Sequence, residues 1–567
     1  MGARRNRFAR IITCMLNGSD GVEAFMEISI LPGLPAVEIV GLCDSSVRES
    51  RERVRASIRQ IGYEFPSARI TVGLFPAYIH KSGSSFDLPI ALGILIASGQ
   101  INPLDSRPIV AFGELSLTGS VRNTPGAIAK LSSIENPDEF QIIIPSSNKR
   151  EAELLGIHAS CVCCLSNAVK VLCASERQSC GCGNNSISES VNFIKSDPCF
   201  KQLPDVNIKD LEVQANDAGD TCNHPDSALD FSCLKGQEKA SRALVLAAAG
   251  MHNLLLTGSP GSGKTTAARV LRGILPPLSS AEKIEYLQMI GTAKILDDRE
   301  IMSDSRPFRY VHHSCTVGKM IGDAGRSIPG ELALSTHGIL FLDEMAEFSP
   351  RVLDMLRQPL EMKCERGVMS EQFCLFPSRF LLVGAMNPCR CGRLIDSPST
   401  CRCSVLQRRQ YDRKISGPIL DRMDLFCEMY RLRRKGLFDS VAQDYGTESE
   451  KIREVVKECW SVQFERCKSL GLNPVLNGEA DGFRINELFK ITRSVLEHAV
   501  LSAEKLGISA RGLNKILRVA RTIADLSNET DMSIQHVSEA LQFRNKRAEE
   551  KQIIPVIRGM SNGKEGI

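Results

Sequence analysis

Gly258-Ser-Pro-Gly-Ser-Gly263-Lys264-Thr265 decides the fold. The stretch matches G-x-x-x-x-G-K-[ST], which makes a phosphate-binding loop when a strand precedes it and a helix follows. Both neighbours are present. The run 253–257 is apolar, and a helix is expected over 266–273. Gly258, Gly261 and Gly263 let backbone N–H groups curl round phosphates, and the helix N-terminus adds positive potential. Lys264 is then placed for the β- and γ-phosphates of ATP, Thr265 for Mg²⁺, and Thr266 completes the nucleotide-contacting stretch.

Working outward, Gly338-Ile-Leu-Phe-Leu-Asp343-Glu344 is a buried strand ending in two carboxylates. Ligands bind at the carboxyl ends of strands in open α/β sheets. Asp343 is expected to hold Mg²⁺ through water and Glu344 to polarise the attacking water. A third strand ends Gly384-Ala-Met-Asn387-Pro388, which puts Asn387 beside the γ-phosphate to orient that water. The runs 253–257, 338–342 and 379–385 are continuously apolar, as strands buried on both faces of a parallel sheet must be. Residues 227–430 therefore read as an α/β P-loop parallel-sheet core. Residues 431–550 read as a helical lid: Val495, Ala499, Ala503 and Leu506 mark one helix, Ile516, Val519, Ala520 and Ile523 another, and Ser533 caps a third over 534–543. Residues 551–567 form a tail.

Towards the N-terminus, residues 1–170 read as a mixed α/β domain. Strands are expected at 37–40, 70–74, 109–112 and 141–145. A charged helix over 46–60 carries Val47, Val54 and Ile58, and a nearly all-apolar helix spans 89–97. Residues 171–226, with Cys180 and Cys182, have little periodicity and read as a linker or insert.

The chain has 567 residues, 43% hydrophobic and 24% charged, with 70 Lys+Arg against 66 Asp+Glu for a net charge of +4. These are ordinary globular values, and any nucleic-acid-binding face has to be local. The apolar run 11–16 is too short for a secretory signal, and no stretch approaches a transmembrane span. With 21 cysteines, a cytoplasmic location implies reduced or metal-bound thiols. Cys389-Arg-Cys391 and Cys401-Arg-Cys403 form a quartet that can hold a tetrahedral structural Zn²⁺, or pack a loop as reduced thiols.

Further stretches carry a family resemblance: Phe308-Arg-Tyr-Val-His-His313, Pro329-Gly-Glu-Leu332, Leu356-Arg-Gln-Pro-Leu-Glu361, Ser416-Gly-Pro-Ile-Leu-Asp-Arg-Met-Asp-Leu425, Ser509-Ala-Arg-Gly512 and Leu517-Arg-Val-Ala-Arg-Thr-Ile-Ala-Asp-Leu526. With the nucleotide motifs, they resemble the magnesium-chelatase-like AAA+ ATPases of bacteria, of ComM and YifB type. Only 171–226 falls outside the resemblance. It implies that Arg422 is an arginine finger acting on the neighbouring subunit's nucleotide, and that Arg511 senses the phosphates in cis. An arginine acting in trans implies a ring, a hexamer by resemblance.

His80-Lys-Ser-Gly-Ser-Ser-Phe-Asp-Leu-Pro89 and Gly113-Glu-Leu-Ser-Leu-Thr-Gly-Ser-Val121 likewise resemble the family's Lon-protease-like domain, α+β in fold. Ser85 falls at the serine position of that protease's Ser-Lys dyad. The lysine position falls on Ile128, with Lys130 two residues on, towards another face of the helix. No peptidase is expected.

The resemblance also implies ATP-driven DNA remodelling, branch migration or helicase work, with DNA as partner and no membrane. Lys363 and Arg366 fall near the tip of an expected hairpin over 361–375, where they face a pore or simply solvent. Arg408, Arg409, Arg413 and Lys414 form a second basic cluster, and Arg431-Leu-Arg-Arg-Lys435 a third. The alternative is a protein-remodelling ATPase, chelatase-subunit-like or regulatory, with no DNA substrate.

Overall fold

The computed structural model describes residues 8–77, 81, 83–173, 229–234, 236–323, 328–361, 378–396, 400–431, 447–480, 482 and 484–544. Cys180 and Cys182, the expected hairpin with Lys363 and Arg366, residues 432–435 of the third basic cluster, and the tail lie outside these. The chain divides into two compact units, Met1–His224 and Pro225–Ile567.

The first unit is built on a seven-stranded mixed sheet. Its strands are β1 (Phe8–Asn17), β2 (Asp20–Leu31), β3 (Ala36–Val40), β4 (Arg69–Phe75), β5 (Ile109–Ala111), β8 (Gln141–Pro145) and β9 (Ser160–Val162), in the order β3-β4-β2-β1-β5-β8-β9. A small hairpin, β6 (Glu114–Leu115) with β7 (Val121–Arg122), stands beside it. β1 and β2 form a long antiparallel hairpin that the sequence reading did not assign. The signal was present: Ala24, Met26, Ile28 and Ile30 alternate inward along β2, and Gly18 takes the positive φ of a tight turn. The helix Asp87–Ala97 is buried on nearly every side, which explains its unbroken apolar run. Its first residue, Asp87, is buried and paired with Arg53 at 2.6 Å, tying this helix to the helix Ser45–Gln60. The Phe-Asp-Leu-Pro motif thus has structural work to do.

Ile128 is buried in the short helix Ala127–Ser132. Lys130, also buried, has its ammonium 5.3 Å from the centroid of Phe112. Burial pushes its ammonium down to about 8, a shift that neighbouring Cys14 opposes. No hydrogen bond among the described residues joins Lys130 to Ser85.

The second unit holds a five-stranded, all-parallel sheet: β10 (Leu254–Gly258), β11 (Phe308–Val311), β14 (Ile339–Leu342), β15 (Leu381–Met386) and β16 (Leu425–Met429). A two-stranded ribbon, β12 (Gly322–Asp323) with β13 (Ile328–Pro329), lies apart from it. The sheet order β11-β14-β15-β10-β16 puts β10 where the strand order reverses, so the loop after β10 opens at a topological switch point. Leu254, Leu256, Ile339 and Phe341 face one core, and Leu255, Leu340 and Leu342 the other, as the continuous apolar runs require.

The helices of the expected lid share the first of these cores. Val456, Trp460, Ile516, Val519 and Val537 lie in one cluster with Leu254 and Phe341. Trp460 Nε1 donates to the Ala248 carbonyl at 3.0 Å. Lys515, on the helix Ala510–Leu526, pairs at 2.9 Å with the buried Asp424, its own side chain largely covered. Among the described residues no helix is long and apolar enough to cross a membrane.

Candidate nucleotide site

The loop after β10 runs into the helix Lys264–Ile274, with Gly261 and Gly263 at φ +77° and +90°, where a β-carbon would be strained. Lys264 turns back over the loop. Its Nζ donates to the carbonyls of Gly258 at 2.7 Å and Ser259 at 3.1 Å, and to Asn387 Oδ1 at 3.2 Å. Residues 123 positions apart in sequence thus meet because β15 lies beside β10. Burial lowers the proton affinity of Lys264, and the charges of Asp343, Glu344 and Asp396 oppose the shift.

Thr265 Oγ1 donates to Asp343 Oδ2 at 3.1 Å. A hydroxyl and a carboxylate oxygen at this spacing are hard donors of the kind Mg²⁺ takes. The hydroxyls of Ser259 and Ser262 are buried without a hydrogen-bond partner among the described residues. A loop with such donors, left-handed glycines and a helix N-terminus fits a phosphate chain.

The expected site residues Lys264, Asn387, Thr265 and Asp343 are therefore brought together in two hydrogen-bonded pairs. Thr266 follows on the first turn of the same helix. Glu344 stands at the end of β14 with a left-handed backbone, φ +51°, and a half-exposed carboxylate. Its amide donates to Asp343 Oδ1 at 2.9 Å.

Two residues here went unassigned in the sequence reading. Tyr310 Oη donates to Asp343 Oδ2 at 3.2 Å, and His313 Nδ1 lies 3.6 Å from Glu344 Oε2. Both come from β11 and the turn after it, next to β14 in the sheet. The only local signal was a polar ring in a four-residue strand. Tyr310→Phe removes one of two hydroxyls that orient Asp343, worth about 0.5–1.5 kcal/mol. The expected result is a several-fold higher Mg²⁺ requirement in ATPase assays; an unchanged Mg²⁺ titration would remove Tyr310 from the site.

Arg422 and Arg511 are not brought to this loop. Arg422 follows the short helix Gly417–Leu420, and its guanidinium donates to the carbonyls of Arg357 at 2.9 Å and Pro418 at 2.7 Å and pairs with Glu361. Arg511 is exposed on the first turn of its helix, where Ser509 caps the end by accepting from the Gly512 amide at 3.2 Å. Among the described residues, neither arginine bonds to the phosphate loop.

The cysteine quartet follows directly on Asn387. The sulfurs of Cys389, Cys391 and Cys401 are 3.4, 3.5 and 3.7 Å apart, and Cys403 joins them with all four within 4.8 Å of one another. The cluster can hold a metal ion. Of the basic residues near it, Arg409 and Arg413 are exposed, while Lys414 pairs with Glu347 at 2.7 Å.

Comparison with known proteins agrees with this arrangement. Residues 230–437 match the family described as magnesium chelatase, subunit ChlI; residues 26–148 match subunit ChlI of Mg-chelatase; and residues 446–544 match the ChlI C-terminal family. The chain is 33% identical over 519 residues to the protein YifB of Salmonella typhimurium, covering 92% of this chain and 93% of that one. It is 34% identical over 530 residues to competence protein ComM of Haemophilus influenzae, covering 93% and 96%. It is 29% identical to the magnesium-chelatase 38 kDa subunit of Rhodobacter capsulatus over 177 residues, 28% of this chain and 50% of that one. A strand order that opens at the phosphate loop, a site that joins both nucleotide motifs, and likeness along almost the whole length lead to one assignment: the chain belongs to the magnesium-chelatase-like AAA+ ATPase family, ComM/YifB type.

Proposed function

We propose that this chain hydrolyses ATP in a ring of identical subunits and uses the turnover to remodel DNA, in the manner of branch migration or helicase work. The hydrolytic half is carried by one observation: Lys264, Asn387, Thr265 and Asp343 are already linked by hydrogen bonds at the switch point of the sheet. Thr265 and Asp343 would hold Mg²⁺, which would neutralise phosphate charge when bound. Lys264 exchanges the carbonyls of Gly258 and Ser259 for phosphate oxygens. Asn387 orients the attacking water, and the Glu344 carboxylate accepts its hydrogen bond and draws off its proton.

Arg422 supports the ring. Its guanidinium bonds the Arg357 and Pro418 carbonyls of its own chain and not its own phosphate loop, which suits a cation offered to a neighbour's γ-phosphate. Arg511 serves as the cis sensor in the same reading. The cysteine quartet is assigned to structural Zn²⁺.

DNA as substrate is supported by the family resemblance, by likeness to a relative named competence protein over 96% of its length, and by the exposed Arg409 and Arg413. Likeness to the Rhodobacter capsulatus chelatase subunit covers 28% of this chain, against 93% for the competence protein, which favours the protein-remodelling alternative less. The test is ATP turnover with single-stranded, duplex and branched DNA. Stimulation is expected, with binding that ignores sequence and weakens steeply with salt as counterions are released. Lys363→Ala with Arg366→Ala should reduce binding and stimulation while basal turnover survives. Equal rates with and without every DNA form, and no junction moved, would transfer the proposal to a protein substrate.

A further inference from the structure

The quartet is joined to the nucleotide site at two places. Cys389 lies two residues after Asn387, whose Oδ1 accepts from Lys264 Nζ. The turn from Cys389 to Gly392, closed by the Gly392 amide on the Cys389 carbonyl at 3.0 Å, lies directly on the phosphate loop. Gly392 has φ +76°, and a β-carbon there would stand 2.5 Å from Cδ of Pro260. Pro260 is the neighbour of Gly261 at the bend of the loop. Nothing larger than glycine fits between the first cysteine pair and the loop that would hold ATP.

The sulfur geometry suits one ion. Four thiolates at about 2.3 Å from Zn²⁺ form a tetrahedron with edges of about 3.8 Å. Three of the present sulfurs are 3.4–3.7 Å apart and need only a few tenths of an ångström of expansion, and the fourth, of Cys403, lies within 4.8 Å of them. A disulfide requires two of them to close to about 2.05 Å. Metal binding also adds to the folding free energy of this loop.

We infer that Zn²⁺ in the Cys389, Cys391, Cys401 and Cys403 quartet braces the phosphate loop through Gly392 and Pro260, so that metal occupancy sets the affinity for ATP. The inference rests on the zinc and ATP assignments made above and adds the coupling between them. The quartet and Gly392 are positioning residues. They set where Pro260 and Asn387 stand and touch no reacting atom. Coupling between two bound ligands is reciprocal, so ATP must also tighten the binding of the metal.

The experiment uses the full chain purified under reducing conditions, with zinc measured by atomic emission and ATP binding by calorimetry in Mg²⁺. The expected result is about one Zn²⁺ per chain. Chelation, or Cys401→Ser, should weaken ATP binding about tenfold, within the usual range for coupled sites. Restoring Zn²⁺ to the chelated protein should recover it. Cys401→His keeps a zinc ligand and should retain both metal and affinity, which separates the metal from the thiol. Gly392→Ala keeps four thiols and its zinc but pushes on Pro260, so it should bind ATP more weakly. Saturating ATP should shift the division of zinc with a chelator towards the protein. If zinc-loaded protein, chelated protein and Gly392→Ala all bind ATP alike, the brace is overturned while both sites stand. Protein without zinc overturns the metal assignment, and zinc-loaded wild type that binds no ATP overturns the nucleotide reading.

Discussion

Arg422→Ala is expected to lower ATP turnover by about three orders of magnitude while leaving ATP binding nearly intact, the scale at which arginine fingers act. The reason lies in charge and position. The developing charge on the γ-phosphate needs more than Lys264, and the planar guanidinium spreads its positive charge over several phosphate oxygens. Arg422 is held in its own chain by two carbonyls and Glu361, a rest position that exchange for a neighbour's phosphate can displace. The decisive measurement is a mixture. Arg422→Ala subunits carry a sound loop, and Lys264→Ala subunits carry a sound finger. Turnover should reappear when the two are combined. A monomer with full activity at high dilution, or a mixture as inert as its parts, would remove the ring from the proposal.

Glu344→Gln should slow hydrolysis by about 10²–10⁴-fold, the usual contribution of a positioned base, with ATP and Mg²⁺ still bound. The amide keeps the shape of the side chain and leaves Asp343, Thr265 and Tyr310 in place. It removes only the ability to take up a proton. Trapped ATP in filter binding, beside a flat phosphate-release trace, is the expected signature. Wild-type turnover in this variant would pass the role of base to another group, with His313 the first to examine because it faces the same carboxylate.

The parts of this site that one short stretch must encode were readable in advance. The phosphate loop, Asp343–Glu344 and Asn387 each sit at the end of an apolar strand, so their local sequence states both geometry and chemistry. Tyr310 and His313 were not readable in this way. Their role depends on β11 lying beside β14, a pairing between segments that the chain itself separates. The β1–β2 hairpin shows a different difficulty. Its period-two pattern was visible along β2, but only the run 11–16, in β1, was weighed, and as a secretion signal. The rest position of Arg422 depends on carbonyls at Arg357 and Pro418, and backbone acceptors leave no trace in side-chain identity.

The largely buried Lys515–Asp424 pair bears on where mechanical work can emerge. Asp424 also accepts the Asn253 amide at 2.9 Å, at the foot of the strand that feeds the phosphate loop. Tearing one partner from such a pair costs about 3–5 kcal/mol. Swinging the C-terminal helices outward would incur that cost and also pull Trp460 from the core it shares with the sheet. The second unit is thereby stiff across its middle, like a lever without an elbow. In the proposed cycle, holding or losing a γ-phosphate moves Arg422 and Arg511, two and four residues from this pair, as parts of one stiff body.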